Sequence, residues 1–348
     1  MLEGVSARYT AMALIGLSGE TDAVASGVLG GLSAETVCRR LIADLPSIDN
    51  MGDVAAITWA AAELGLRESS RALSRLIELD PVSDTHPTVE RAWALTALAI
   101  NPSVVTDAPL TDALARELLS TFNHESCIFR HMAPTAKSSR LRAHVACYAD
   151  LVYPIIALSH YGAMKNHQPA LEAARASADR MCEMQGAAGQ WWWHFDARTG
   201  RVVEPYPVYA VHQDAMAPMA LFAAEAACGA DYGQSVRRGL EWLRHAPEID
   251  GSLLDTDADV IWRKVCRREP GKLSRGLNAA LSAIHAGLRA PGVDTVFKPS
   301  AIDHESRPYH MGWILYAWPE ARVNEFSARW GEHLNEKHAV TMAESPSV

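Results

Sequence analysis

The stretch from Val145 to Met184, VACYADLVYPIIALSHYGAMKNHQPALEAARASADRMCEM, decides the architecture. Its first part, through Ser159, is apolar almost all round, which suits a helix enclosed by other helices. Further on, Leu171, Ala174, Ala178, Met181 and Cys182 share one helical face, while Glu172, Arg175, Asp179 and Arg180 take the remainder, so this helix packs on one side only. Gly162 is expected to end the first helix and Pro169 to sit in the first turn of the second. The pair is an αα-hairpin with one enclosed and one outward-facing member.

The same alternation runs in both directions from there. Enclosed patterns occur at Val54–Leu64, Ala92–Ile100, Ala215–Ala227 and Leu277–Leu288, and one-sided patterns at Glu35–Leu45, Ser69–Leu79, Leu110–Leu119 and Ser235–Leu243. With about six such hairpins, the chain is expected to be all-α, an α/α toroid in which a ring of outer helices buries an inner ring. Residues 1–348 read as one such domain, with a disordered tail over 338–348. The first helical pattern begins almost at the N-terminus, which leaves the completeness of the first hairpin open.

Related segments follow successive outer helices: Cys127-Ile-Phe-Arg-His131, Gly189-Gln-Trp-Trp-Trp-His-Phe-Asp196 and Asp250-Gly-Ser-Leu-Leu-Asp255. The second and third precede a turn and another apolar run (Val202-Val203; Val260-Ile261-Trp262), the pattern of short β-hairpins. Because each segment leads into an inner helix, the loops at 127–142, 189–206 and 303–308 should meet at one rim. Loops on such a rigid frame are where binding chemistry tends to sit.

Gln185-Gly-Ala-Ala-Gly-Gln-Trp191 resembles the Q-x-x-x-G-x-W signature at the end of an outer helix in terpenoid-cyclase and protein-prenyltransferase toroids. Gly239–Leu253 looks like a degenerate second copy. The resemblance implies the toroid fold over about residues 50–320, a shape shared with six-hairpin glycosidases, polysaccharide lyases and sugar epimerases, so it does not by itself assign chemistry. The family's D-x-D-D acid motif has only Asp255-Thr-Asp-Ala-Asp259 near it, better read as a turn. Its D-D-x-x-D magnesium motif is absent, and no counterpart of the prenyltransferase Asp, Cys and His zinc set is recognisable from spacing.

Composition narrows the field. A 348-residue chain with 49% hydrophobic and 21% charged residues has the makings of a large core. Its net charge of -9 argues against a nucleic-acid partner. The N-terminus lacks the features of a signal peptide and no apolar run is long enough for a membrane span, so a cytoplasmic location is expected. Cys38, Cys127, Cys147, Cys182, Cys228 and Cys266 are dispersed without a C-x-x-C pair and read as small core residues. His212 and Asp214, two apart on a helix, cannot chelate together. No metal and no cofactor is expected.

Three segments could carry chemistry. The densest is Trp191–Asp214, where Trp191, Trp193 and Tyr206 are candidate substrate platforms and His194, Tyr209, His212 and Asp214 candidate acid–base groups. If residues 191–194 form a strand, Trp191 and Trp193 face one way and Trp192 and His194 the other. The second is Asp303–His310 with the helix after it, offering Glu305 as a catalytic carboxylate and Arg307, Tyr309 and Trp313 as substrate contacts. The third comprises local basic clusters, Arg130, His131, Arg140, Arg142 and His144, and Arg263, Lys264, Arg267, Arg268, Lys272 and Arg275. Arg130, His131 and Arg263 are the substrate-binding candidates here, and such clusters on an acidic background point to an anionic ligand.

The function expected from these residues is a glycan-active enzyme, a lyase, epimerase or hydrolase acting on an acidic sugar or polysaccharide. Proton abstraction beside a uronate needs an Arg to neutralise the carboxylate and a His or Tyr to move the proton. Hydrolysis needs paired carboxylates, for which Asp196, Asp214 and Glu305 are candidates. The alternatives are a non-standard isoprenoid cyclase and a non-catalytic binding scaffold. An open, charged cavity would favour the glycan, and a closed apolar one with a single acid the isoprenoid.

Overall fold

A computed structural model describes residues 4–103, 107–136 and 142–330. The helices in chain order are α1 (Ala7–Leu17), α2 (Asp22–Val28), α3 (Ala34–Asp44), α4 (Met51–Glu63), α5 (Ser69–Glu78), α6 (Thr88–Ala99), α7 (Ala108–Ser120) and α8 (Ala149–Lys165). They continue with α9 (Gln168–Glu183), α10 (Ala217–Cys228), α11 (Gly233–Arg244), α12 (Leu273–Ile284), α13 (Val293–Val296), α14 (Pro308–Ala317) and α15 (Glu320–Trp330). Helices α1, α4, α6, α8, α10 and α14 pack each against the next, and α14 closes on α1. Outside them lie α3, α5, α7, α9, α11 and α15. The fold is an α/α toroid, and none of its described helices is long and apolar enough to cross a membrane. The expected tail over 338–348 lies outside the described residues.

The inner ring is tight because its helices are built from Ala and Gly. Ala55, Ala56, Ala60, Ala61 and Ala62 on α4, and Ala92, Ala94, Ala97 and Ala99 on α6, are all buried. The closest approach is at the closure, where a Cβ on Gly16 would lie 2.1 Å from the Gly312 carbonyl oxygen and one on Gly312 would lie 2.3 Å from that of Met12. Only residues without a side chain let the backbones of α1 and α14 meet like this.

Two sequence expectations are corrected. Gly162 does not end α8. The helix runs to Asn166, which adopts the left-handed conformation at φ 52°, while a Cβ on Gly162 would be 2.6 Å from the Leu171 side chain, so its role is to admit α9. Leu277–Leu288 is not an inner helix. Helix α12 lies outside the ring, burying Ser274, Asn278, Ala279 and Ser282 and leaving Leu273, Leu277 and Ile284 exposed. Its buried face is polar because it hydrogen-bonds the loops rather than joining the core: Asn278 donates to Glu204 at 2.6 Å, and His144 Nε2 lies 2.8 Å from Ser282 Oγ.

The Gln185–Trp191 signature stitches neighbouring outer helices together. Gln185 Nε2 donates to the carbonyls of Gly189 at 3.0 Å and of Ser235 on α11 at 2.9 Å, and Arg238 donates back to the Gly186 carbonyl at 2.8 Å. Gly189 has φ 104°, a region closed to other residues, with the Arg238 carbonyl where a Cβ would be.

The expected hairpins form: His194–Asp196 pairs with Val202–Glu204, and Leu254–Asp255 with Val260–Ile261. Val145–Cys147 joins the first as a third strand, so α8 starts at Ala149. A second three-stranded sheet joins Val208–Tyr209, Lys264–Cys266 and Ala301–Asp303. Both sheets lie where chain enters inner helices.

Replacing Gly312 by Ala should cost about 1–3 kcal/mol despite the better helix propensity of Ala, because the added methyl meets backbone rather than a movable side chain. Urea unfolding would measure it. An unchanged midpoint would show that the α1–α14 contact is not a tight one.

Candidate functional site

The first turns of the inner helices meet in a two-part cavity. The larger chamber, about 480 Å³, is bounded by Arg130, His131, Arg142, Trp193, His194 and Arg275 among others. The smaller, about 260 Å³, takes Arg8, Tyr9, Trp93, Tyr209, His212, Arg263 and Tyr309 from the starts of α1, α6, α10 and α14 and from the second sheet. Cys147 and Trp193 line both. The described residues of the loops before α8 and α10 meet at one rim, and the loop before α14 joins them through Arg307 on Tyr9 and Glu305 on Arg263. Arg140 lies outside the described residues.

The smaller chamber is walled by rings packed in tilted and edge-to-face pairs. Tyr148 lies 4.3 Å and Tyr209 5.0 Å from the His212 ring, Tyr9 is 4.9 Å from Tyr309, and Trp93 is 5.2 Å from Tyr153. Arg263 sits 5.4 Å over Tyr209 and Arg8 5.0 Å over Trp93, cations placed on aromatic faces. A π-helical turn, His212–Met216, opens α10 here and aims His212 inward.

Of the three imidazoles that line the two chambers, His194 and His212 are uncharged near neutrality. Burial pushes both His194 and His212 down to about 3, and the Nδ1 atom of each is enclosed without a hydrogen-bond partner among the described residues. His131 goes the other way. The Asp150 carboxylate, 3.1 Å from its Nδ1, raises its pKa.

Sequence-derived candidates divide by their surroundings. Arg130, His131, Trp193, His194, Tyr209, His212, Arg263 and Tyr309 line the cavity. Trp191, Tyr206, Asp214 and Trp313 do not. Trp191 is buried beside Tyr148, and Trp313 packs 5.3 Å from Trp59 in the ring core. Tyr206 donates to Glu248 at 3.0 Å, under Arg267. Asp214 accepts from His310 Nε2 at 2.8 Å, and because Pro218 has no N–H, the Asp214 carbonyl accepts the Trp318 indole at 2.6 Å. Glu305 is held between Arg263 and Arg307, and Arg307 also donates to the Tyr9 hydroxyl at 2.7 Å.

The alternation expected over Trp191–His194 fails because the strand begins only at His194, so the adjacent Trp193 and His194 both reach the cavity. The basic run from 263 to 275 splits by strand alternation and the start of α12. Arg263 and Arg275 face the cavity, whereas Arg267 is buried against Glu204 at 2.9 Å. Sequence reasoning passed over Arg8, Cys147 and Asp150. Asp150 carried a signal, an acid in the first turn of an apolar helix, where a carboxylate can reach back to a free backbone N–H.

Comparison with family models and with curated proteins finds no match. Among solved structures, an unsaturated glucuronyl hydrolase specific for heparin is similar with a TM-score of 0.50 and 13% identity, over 80% of this chain and 87% of that one. An unsaturated glucuronyl hydrolase from a Bacillus species (TM-score 0.45, 12% identity, 77% and 85% covered) and a cellobiose 2-epimerase from Bacillus thermoamylovorans (0.42, 11%, 68% and 58%) are also similar. At 13% identity the likeness to the heparin-specific hydrolase is one of fold alone.

Because His212 titrates near 3 in the folded protein and near 6.5 when unfolded, the unfolded chain binds the extra proton between these values. Stability should therefore fall as the pH is lowered through that window. His212→Phe keeps the ring between Tyr148 and Tyr209 but cannot be protonated. It should flatten the acid-side slope of the unfolding free energy by up to about 1.4 kcal/mol per pH unit. Urea titrations from pH 6.5 down to about 4 would measure this, and an unchanged slope would mean that His212 is already solvated in the folded protein.

Proposed function

We propose that the chain is a glycan-active enzyme whose substrate carries a carboxylate or another anionic group. One observation carries this reading: Arg130, Arg142 and Arg275 converge on the larger chamber, whose described lining contains no carboxylate. Burial and then the neighbouring Arg142 lower the Arg275 pKa, outweighing the opposing pull of Glu269, the sign of a guanidinium held near a like charge with incomplete compensation. Concentrating three guanidiniums on a protein of net charge -9 is unfavourable unless an anion joins them. Trp193, with Arg275 5.5 Å over its ring, supplies the adjoining aromatic wall against which a sugar can stack.

The lining favours proton transfer beside the anionic group, as in a lyase or epimerase, over hydrolysis by paired carboxylates. Asp196 is engaged by Arg198 at 2.7 Å, Asp214 by His310, and Glu305 by Arg263 and Arg307, so none presents a free carboxylate to the cavity. His194 and Tyr209 border it and can move a proton, while the arginines stabilise the charge that develops on the carboxylate. A heparin-specific glucuronyl hydrolase shares the fold, which is compatible with an acidic sugar but adds nothing about these residues. Guanidiniums throughout the wall do not suit an isoprenoid cation.

Binding of uronic-acid oligosaccharides, compared with neutral ones of equal length, tests the reading. The acidic set should bind, and Arg275→Ala or Arg142→Ala should weaken it roughly ten- to a hundredfold, the loss of a charge-assisted contact of about 1.5–3 kcal/mol. Folding stability should change by less than about 1 kcal/mol, since neither arginine forms an ion pair among the described residues. Equal binding of neutral oligosaccharides, or a variant effect on melting alone, would overturn it.

A further inference from the structure

Where the two chambers join, the fold assembles three unlike donors that the substrate reading leaves unused. His131 comes from the loop after α7, Cys147 from the end of a strand and Asp150 from the first turn of α8. One donor atom from each lies within 4.8 Å of the other two. Asp150 is fully buried, and its carboxylate accepts from the Cys147 backbone N–H at 2.8 Å as well as facing His131 Nδ1. The backbones that carry them are braced: the Thr88 N–H donates to the His131 carbonyl at 2.9 Å, the Thr88 hydroxyl holds the Arg130 carbonyl, Cys147 is in register with His194, and the Tyr148 N–H donates to the Trp193 carbonyl at 2.8 Å.

A buried carboxylate that caps α8 and pairs with a histidine is a common structural arrangement. It accounts for Asp150 and His131. The Cys147 thiol hydrogen-bonds the same carboxylate, which brings a third and softer donor to that point, on the wall shared by both chambers. We propose that His131, Cys147 and Asp150 form a binding site for one divalent transition-metal ion of the zinc type, with its fourth position open to the cavity.

The donor set selects the class. One thiolate, one imidazole and one carboxylate suit zinc or cobalt(II), whereas magnesium and calcium require oxygen donors. Three protein ligands with a free position is the arrangement of sites that bind a further molecule, and His131 and Cys147 both line the larger chamber. The nearby arginines do not oppose it: a dication with one thiolate and one carboxylate is neutral in sum. On binding, the thiol releases its proton to solvent, as does Nδ1 of His131 where it carries one. Asp150 then exchanges its hydrogen bond to His131 for a metal bond. With bonds of about 2.0–2.3 Å, the donors must draw together by roughly 1 Å, within the reach of side-chain rotation. The site went unrecognised in the sequence because its spacing, sixteen residues and then three, matches no zinc motif.

Metal binding at these three residues is independent of the substrate's identity and can be read without an activity. The full-length protein would be titrated with zinc against a chromophoric chelator, and separately with cobalt(II) while recording the absorption spectrum. The site requires one tightly held equivalent, a thiolate-to-cobalt charge-transfer band and the intense visible bands of a four-coordinate ion. Cys147→Ser, which preserves size and burial, should abolish the charge-transfer band and weaken zinc at least about tenfold. His131→Ala should weaken zinc similarly, with circular dichroism confirming the fold of each variant. Less than one equivalent bound, or a charge-transfer band that survives in Cys147→Ser, would overturn the proposal.

Discussion

The toroid depends on the contact between Gly16 and Gly312. A ring of helices must close on itself, and here the first inner helix meets the last with backbone against backbone, so no atom beyond Cα fits between them. Everything at the rim follows from that closure. Arg8 and Tyr9, one turn into α1, are brought to Tyr309 and to the Arg263–Glu305–Arg307 chain, more than 250 residues away in sequence. Opening this seam would separate the walls of the smaller chamber.

The cavity has two electrostatic characters. In the smaller chamber each guanidinium has an acidic or aromatic companion: Arg8 donates to Asp53 at 2.6 Å and lies over Trp93, and Arg263 is held by Glu305 and lies over Tyr209. Such charges are already compensated and chiefly hold shape. In the larger chamber the guanidiniums form no ion pair among the described residues, so the field there is available to a ligand. Trp193 and Cys147 stand on the boundary, which makes that boundary the place where recognition and chemistry can be coupled.

Helix α12 links the two layers of this design. Its polar face is turned inward, contrary to an ordinary surface helix, because it docks on the hydrogen-bonding groups of the loops. Glu204 receives both Asn278 and the buried Arg267, which in turn reaches Asp294 on α13 at 2.7 Å. Truncating one partner of such a pair strands a buried charge and costs several kcal/mol, so the helix that presents Arg275 to the cavity is held firmly. The exposed leucines of α12 explain why its sequence looks like that of an inner helix: an apolar, Ala-rich pattern reports amphipathic strength, not direction.

Local physics made the hairpins, their inner and outer members apart from the segment that forms α12, and the short β-hairpins legible in the sequence, because side-chain periodicity and turn chemistry act over a few residues. The same locality placed the aromatic and basic residues near the ends of helices, and Trp193, His194, Tyr209 and Arg263 could be singled out from their segments. What the sequence could not supply was direction and company. Whether Trp191 or Trp193 faces the cavity depends on where one strand begins. Whether Asp214 is free depends on His310, almost a hundred residues further on. That Asp150 stands against His131 and Cys147, and that Arg142 and Arg275 share a chamber, are matters of tertiary placement. Charges and donors interact through space, over a few ångströms, and only the tertiary structure decides which of them come within that distance.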